Sequence, residues 1–460
     1  MSKRQMNSAD VAWLHMDRPT NLMVVNSVMW FDEPMDFARV RRLIRERLVD
    51  PYPRFRQRIA EPPAGIGVPS WVDDSHFDLD RHLHHLALPA PGDAAVLQRV
   101  VSDIISAPLD RAKPLWDVYL LDGYGGGSAQ LTRMHHSIAD GIALARVLLS
   151  MTDESREGGV APELDADERT PRLGSITRPL AVGTHLAQAA LHEGLALLSH
   201  PESEVENLVE RATADADALG KLVLAPPDRR TVLRGELGAA QRVAWVDGLS
   251  LDAIKAIGHA TATTVNDVLV TALTGALRSY LTGRDSMVDE LRAMVPFNLR
   301  PLDEPLPREL GNRFGLIYLR LPVGIEDRAE RLEAVRDRMD AIKHSPEAAV
   351  SYGILGVLGL TPPGVERRVV DMFSAKCSLV LTNVPGPRQP VYFAGTRVAG
   401  VLSWVPAGGS IGLGVCIFSY DGRVTVGVRA DAGLVPDPEN IAGAFQLELD
   451  ALARLPSRVA

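Results

Sequence analysis

The chain has 460 residues, 46% of them hydrophobic and 23% charged, and carries a formal net charge of -9. At roughly 100–200 residues per domain this length predicts two to four units, which excludes a small staple-dependent fold, and the composition excludes a largely disordered chain. The acidic balance opposes general nucleic-acid binding, which needs clustered Lys and Arg, and the two cysteines, Cys377 and Cys416, lack the CxxC spacing of a zinc site or a disulfide framework.

The amino end, MSKRQMNSADVAWLHMDRPT, has early basic residues but no apolar run of secretory length, so a cytoplasmic protein is expected. NLMVVNSVMWF (21–31) is rich in β-formers, MDFARVRRLIRERLV (35–49) has apolar residues at helical spacing, and WDVYLLDG (116–123) alternates, an α/β pattern. In HLHHL, His82, His84 and His85 are expected at the surface rather than on a metal. GYGGGS (123–128) lacks the GxxxxGK[ST] and GxGxxG patterns of phosphate loops and predicts a hairpin. SAQLTRM (128–134) then predicts a strand and IALARVLLSM (142–151) a helix.

The charged, Pro- and Gly-containing stretch 154–179 has no apolar period and predicts an exposed linker. Helical character resumes over 180–198 and 205–223, which predicts a connecting helical region before the turn signal APPDRR. Beyond it the pattern is again α/β: QRVAWVDGL as a strand, LDAIKAIGHATA and TVNDVLVTALTGALRSYLTG as helices, strands at ELRAMVPF, RFGLIYLRL, CSLVLTNV, GLGVCIFSY and RVTVGVRAD, and a last helix in PENIAGAFQLELDALARL. The expected division is therefore a first domain over 1–178, a connecting region over 179–230 and a second domain over 231–460. VSYGILGVLGL (350–360) is too short to span a bilayer. In PPGVERRVVDMFSAK (362–376), Val365, Val369, Met372 and Phe373 share a helical face beside Arg367, Arg368 and Lys376. That pattern fits either an interfacial amphipathic helix or a core-facing helix with a charged outer side.

LTRMHHSIADGIAL (131–144) places His135 and His136 between the predicted strand and helix, ahead of Asp140 and Gly141. Successive side chains at a strand's end diverge, which opposes a metal shared by the two histidines, and HExxH is absent, so a metal hydrolase is disfavoured and no metal is expected. Asp140 precedes the helix, where a carboxylate caps N–H groups or turns inward to a cation, and Gly141 permits close backbone approach.

HHxxxDG is also the signature of the CoA-dependent acyltransferase superfamily. The chain resembles its bacterial wax ester synthase/diacylglycerol acyltransferase family, through HHSIADG (135–141), PLW (Pro114-Leu115-Trp116), the Asn266-Asp267 pair, VPFNLRP (295–301), LGNRFG (310–315) and NVPGP (Asn383–Pro387). The resemblance implies two chloramphenicol-acetyltransferase-like α/β domains with the active-site channel between them. It implies His136 as general base, His135 as support, Asp140 and Gly141 as structural residues, and acyl-CoA as a substrate with no cofactor. Diacylglycerol or a long-chain alcohol would be the acceptor, at a peripheral membrane or lipid-droplet surface on the cytoplasmic side. Arg300 is the partner expected for Asp140, and Asn266 and Asp267 are candidate substrate-binding residues, Asn266 as an oxyanion donor. A condensation-type enzyme that takes carrier-bound acyl groups and a non-catalytic lipid-binding protein of the same fold are the competing expectations.

Overall fold

Val24–Phe31 forms the first predicted strand, and all eight of its residues are buried, the mark of a strand covered on both faces. The computed structural model describes residues 3–62, 67–139, 141–158, 225–298, 310, 314–343 and 363–456. The predicted linker and connecting helices fall almost entirely outside these residues.

In the first half the elements are β1 (Lys3–Gln5), α1 (Ser8–Met16), β2 (Val24–Phe31), α2 (Phe37–Ile44), β3 (Gln57–Ala60), β4 (Ser70–Asp73), β5 (Leu83–Ala87), α3 (Ala94–Ser106), β6 (Trp116–Tyr124), β7 (Gly127–His135), α4 (Gly141–Ser150) and β8 (Thr152–Asp153). The second half continues with β9 (Gln241–Ser250), α5 (Leu251–Thr261), α6 (Val265–Thr282), β10 (Leu291–Asn298), β11 (Phe314–Leu321), α7 (Arg328–Lys343) and α8 (Pro363–Ser374). It ends with β12 (Leu379–Pro385), β13 (Tyr392–Phe393), β14 (Thr396–Trp404), β15 (Leu413–Tyr420), β16 (Arg423–Asp431) and α9 (Pro438–Leu452).

Two mixed sheets carry the architecture. The first has the order β5-β6-β7-β2-β14-β13-β8 and the second β11-β10-β12-β15-β16-β9, beside a small sheet β1-β4-β3. GYGGGS is the predicted hairpin: β6 and β7 are antiparallel, and Gly125 and Gly126 between them both have positive φ, the conformation a tight hairpin turn demands. The strands of the second sheet alternate between two cores. Cys416, Phe418 and Tyr420 of β15 pack with the first half, whereas Leu413, Val415 and Ile417 pack under α5, α6 and α9.

The division between the halves is not sequential. Strand β14 leaves the second half and pairs antiparallel with β2, from Val398 opposite Phe31 to Trp404 opposite Asn26. Residues 392–404 of the stretch assigned by sequence to the second domain thus complete the first sheet.

Besides the strand β14 and the shared core, two helix seams join the halves. At one, α1 packs on α8, with Trp13, Ala12, Met16 and Met23 against Val370 and Leu316. His15 Nδ1 lies 2.9 Å from Glu366 Oε2, and Arg18 donates to Asp371 at 2.9 Å. Val369 and Val370 are buried here, whereas Met372 and Phe373 are half-buried and Lys376 is buried, so the Val369 side of α8 points inward but the helix does not present the uniformly charged outer side of the second reading. At the other seam α3 lies along edge strand β9. Gln98 donates to the Trp245 carbonyl, Ser102 Oγ accepts from the Val243 amide, and Ser106 Oγ accepts from the Gln241 amide. Four helical residues rise about 6 Å and two strand residues about 6.6 Å, so side chains at i, i+4 and i+8 meet every second residue of the strand.

Candidate active site

Strand β7 is buried along its whole length and lies between β6 and β2, a position that fixes its C-terminal end tightly. PLW acts on that end. The Leu115 carbonyl accepts the His135 amide at 2.9 Å, while Trp116, fully buried, donates its indole N–H to the Phe55 carbonyl. The His136 amide donates to the Met23 carbonyl on the opposite side at 2.8 Å.

The two histidine rings have different surroundings. His135 Nδ1 accepts the Ser137 amide at 3.1 Å, which leaves the ring proton of a neutral imidazole on Nε2. That Nε2 faces Asp17 Oδ2 at 3.8 Å. Asp17 also accepts from the Met23 amide at 2.8 Å and from Arg111 at 3.0 Å. Burial pushes the Asp17 carboxyl up, but His135, the Met23 amide and Arg111 together outweigh it and hold the group below its ordinary 3.8. His136 is 3% exposed, and its ring stacks on Trp13 with centroids 4.0 Å apart. An indole face against the imidazole fixes the ring plane.

The rings do not part as strand alternation predicts. Both approach one segment, Trp13 and Asp17, a helical turn apart. The chain turns directly after β7, with Ile138 donating back to the His135 carbonyl at 3.0 Å, so the period of the strand ends at His135. Among the described residues no cluster of three or more His, Cys, Asp or Glu side chains has the geometry to hold a metal. The stack of His136 on Trp13 sits at the seam of the two halves, since the apolar neighbours of Trp13 include Val370 and Leu316 from the second half.

Gly141 opens α4 as expected from its place in the motif. Asp140 and Arg300 both lie outside the described residues, as do Leu299 and Pro301 of VPFNLRP. Asp267 is 1% exposed and closes a capping box: its Oδ2 accepts from the Thr264 amide and hydroxyl at 2.8 and 2.7 Å, while Thr264 Oγ1 accepts the Asp267 amide. Asn266, exposed beside it, accepts a 2.7 Å hydrogen bond from Asn383 of NVPGP. Two distant motifs therefore meet. Gly386 of NVPGP admits no side chain, because a Cβ there would lie 2.6 Å from the Ser419 carbonyl oxygen and 2.5 Å from the Phe418 ring.

Within HLHHL only His82 departs from the expected exposure, since His85 is exposed and His84 half-buried. His82 is buried, stacked on Trp116 at 4.4 Å and within 2.8 Å of the Trp116 carbonyl, and burial pushes its pKa down to about 4. His84 and His85 pair instead with Asp117 and Asp122. Sequence reasoning passed over Trp13 and Asp17. The signal was present in NSAD, where Asn7 caps α1 by accepting the Asp10 amide at 2.7 Å, the start of a helix that places both residues.

Two α/β sheets that exchange a strand, with a buried histidine at their seam, define the two-domain fold shared by chloramphenicol-acetyltransferase-like acyltransferases and condensation domains. The similarity is structural: the wax ester synthase/diacylglycerol acyltransferase from Marinobacter aquaeolei VT8 superposes with a TM-score of 0.69 at 23% identity, over 98% of this chain and 100% of that one. The first condensation domain of the calcium-dependent antibiotic synthetase superposes with a TM-score of 0.63 at 16% identity, over 99% and 98%. The chain belongs to the wax ester synthase/diacylglycerol acyltransferase family, matching its catalytic domain over residues 6–269 and its C-terminal domain over residues 310–453. The Mycobacterium tuberculosis (strain H37Rv) protein named "Probable diacyglycerol O-acyltransferase tgs1" is 29% identical over 412 residues, covering 88% of this chain and 85% of that protein. A second from the same strain, "Probable diacyglycerol O-acyltransferase tgs2", is 29% identical over 462 residues, covering 96% and 97%.

Proposed function

We propose that this chain moves a long-chain acyl group from acyl-CoA to the hydroxyl of a diacylglycerol, giving triacylglycerol, or of a long-chain alcohol, giving a wax ester, with His136 as general base. The observation that carries the reading is the place of His136: buried at the end of a central strand, its ring held by Trp13 where the two halves meet. A neutral imidazole accepts the hydroxyl proton as the alcohol oxygen attacks the thioester carbonyl. The tetrahedral intermediate then collapses, the C–S bond breaks, and the proton passes from the imidazolium to the departing CoA sulfur. Positioned base catalysis of this kind contributes about 10²–10⁴-fold.

In this reading His135 supports the base by holding the turn through Ser137 and by facing Asp17. Asn266 is the candidate oxyanion donor: its carbonyl oxygen is taken by Asn383, which leaves its NH2 group for a ligand. Asp267 serves the same end by fixing the helix terminus. Asp140 and Arg300 remain a proposed structural pair. Acyl-CoA enters as substrate, and the acceptors' apolarity implies peripheral contact with a cytoplasmic membrane face or lipid inclusion. The buried face of α8 is not the surface that makes this contact, and among the described residues no helix is long and apolar enough to cross a membrane.

The test follows CoA release by purified protein given palmitoyl-CoA with either a diacylglycerol or hexadecanol. His136→Ala is expected to reduce turnover by about 10²-fold or more at an unchanged melting temperature, and the two acceptors rank by kcat/KM. An unaffected mutant removes His136 from the chemistry. A wild type inert with both acceptors moves carrier-bound acyl groups or lipid binding alone to the front.

A further inference from the structure

Helix α1 lays its last turn against the two histidines. The Trp13 and His136 rings have centroids 4.0 Å and planes 26° apart, and Asp17, which ends the helix, has Oδ2 3.8 Å from His135 Nε2. The helix is fixed at its start as well: Asn7 caps it, and Asp10 in its first turn is buried with Arg54 Nη2 3.9 Å away. The indole face is therefore presented by a helix tied down at both ends.

General base chemistry puts a positive charge on His136 between the arrival of the hydroxyl proton and its departure to sulfur. Burial opposes that charge, because surroundings of low dielectric favour the neutral imidazole. His82 shows the strength of this opposition in the same fold. Burial, with smaller pushes from Lys113 and Arg81, takes it down to about 4 although its ring lies on Trp116. At His136 the neighbours have the opposite sign. The face of an indole is the negative part of its quadrupole and attracts a cation within about 6 Å of the centroid, more strongly where water is excluded. The C-terminal end of α1 adds the negative pole of the helix dipole, and Asp17, held below its ordinary 3.8, is a carboxylate at neutral pH. Among the described residues the other charged groups of these elements are paired: Arg111 with Asp17, His15 with Glu366 and Arg18 with Asp371. Arg133, earlier on β7, donates to the Ala107 carbonyl. The field of Asp17 is thus shared with Arg111 and His135, and the indole face is the group in direct contact with the His136 ring.

We propose that Trp13 is a positioning residue with an electrostatic task in acyl transfer: its indole face stabilises the imidazolium of His136 while that ring carries the acceptor's proton. The proposal rests on His136 being the base. It acts through the face of the imidazole, so both nitrogens, which lie on the ring edge, stay available for proton transfer. It also differs from a steric brace. A brace holds the ring equally in both protonation states, whereas a cation–π contact favours the charged one and weakens when the aromatic face is made electron-poor.

The test is an NMR titration of the full chain without substrate, isotope-labelled at histidine, with the His136 signal identified by its loss in His136→Ala. Wild type and Trp13→Phe are each made once with ordinary tryptophan and once with trifluorotryptophan, which keeps the indole shape and drains its face of electron density. In wild type, fluorination is expected to lower the His136 midpoint by at least about 0.5 pH unit and to move the acid limb of the kcat/KM profile by the same amount. In Trp13→Phe the two forms are expected to titrate alike, since the stacked ring is no longer a tryptophan. His84 and His85, stacked on Tyr119 and Phe37, are expected to keep their midpoints throughout. Equal His136 midpoints in the two forms of wild type overturn the proposal, while the base itself is judged separately by the turnover of His136→Ala. An equal drop in Trp13→Phe assigns the effect to the remaining tryptophans and overturns it too. A midpoint that moves without the acid limb separates the stack from the reaction, and the role in acyl transfer falls.

Discussion

The two seams between the halves are built from different materials. Beside the histidines, α1 meets α8 through side chains alone, an apolar cluster around Trp13 flanked by His15 with Glu366 and Arg18 with Asp371. On the far side, α3 meets β9 through neutral side chains bonded to backbone groups of a strand edge. The first seam therefore responds to protonation, and the second does not. The seam that touches the proposed base is the adjustable one, whereas the distant seam sets the spacing of the halves.

Trp13→Ala should separate the two most strongly. Removing a buried tryptophan typically costs about 3–5 kcal/mol, and here it also removes the aromatic face stacked on the ring of His136. Urea unfolding and turnover per folded molecule should both fall, while Trp13→Phe, which retains an aromatic face, recovers most of the turnover. If the alanine variant turns over normally, the stack has no part in presenting the base.

Ser102→Ala tests the distant seam. It leaves the buried Val243 amide without its acceptor, a loss of about 1–3 kcal/mol in unfolding free energy. Turnover per folded molecule should be unchanged and the loss should be the same at pH 5 and pH 8; a loss that varies with pH would contradict the assigned difference between the seams.

The smallest effect concerns Glu366. Burial raises its pKa above the ordinary 4.5, against the opposing pull of His15. The folded chain therefore holds this proton more tightly than the unfolded chain. Its contribution to stability is fully present below 4.5 and is lost as pH rises through the folded value. Asp17 behaves oppositely: its lowered pKa contributes stability above 3.8 that is lost as the pH falls further. Melting temperature against pH should flatten above 4.5 in Glu366→Gln, and an unchanged slope would show that this carboxyl does not couple to folding.

Local pattern made much of the fold legible. The β-formers of 21–31, the alternation of 116–123 and the apolar helical faces of 251–262, 264–283 and 438–455 all became the predicted elements. Strand β14 was missed because what makes it a strand is pairing with β2, more than 350 residues earlier, and a local pattern does not carry register across that distance. Helix α7 was missed for a related reason: RAERLEAVRDRMDAIK is dominated by charge, and its placement depends on contacts such as Arg331 with the buried Glu448 of α9. At the site, the spacing of HHSIADG exposed the histidines, but not Trp13, whose role is defined only by the ring it meets across the fold.

The alignment of α3 along β9 also governs what happens if the halves are separated. β9 is the last strand of its sheet, and its outward amides and carbonyls are occupied only because Gln98, Ser102 and Ser106 arrive from the other half. A fragment beginning after the segment 159–224 would carry an open strand edge, a template on which another copy can add a strand. The second half by itself is thus prone to aggregate, and α3 acts within the intact chain as its edge guard.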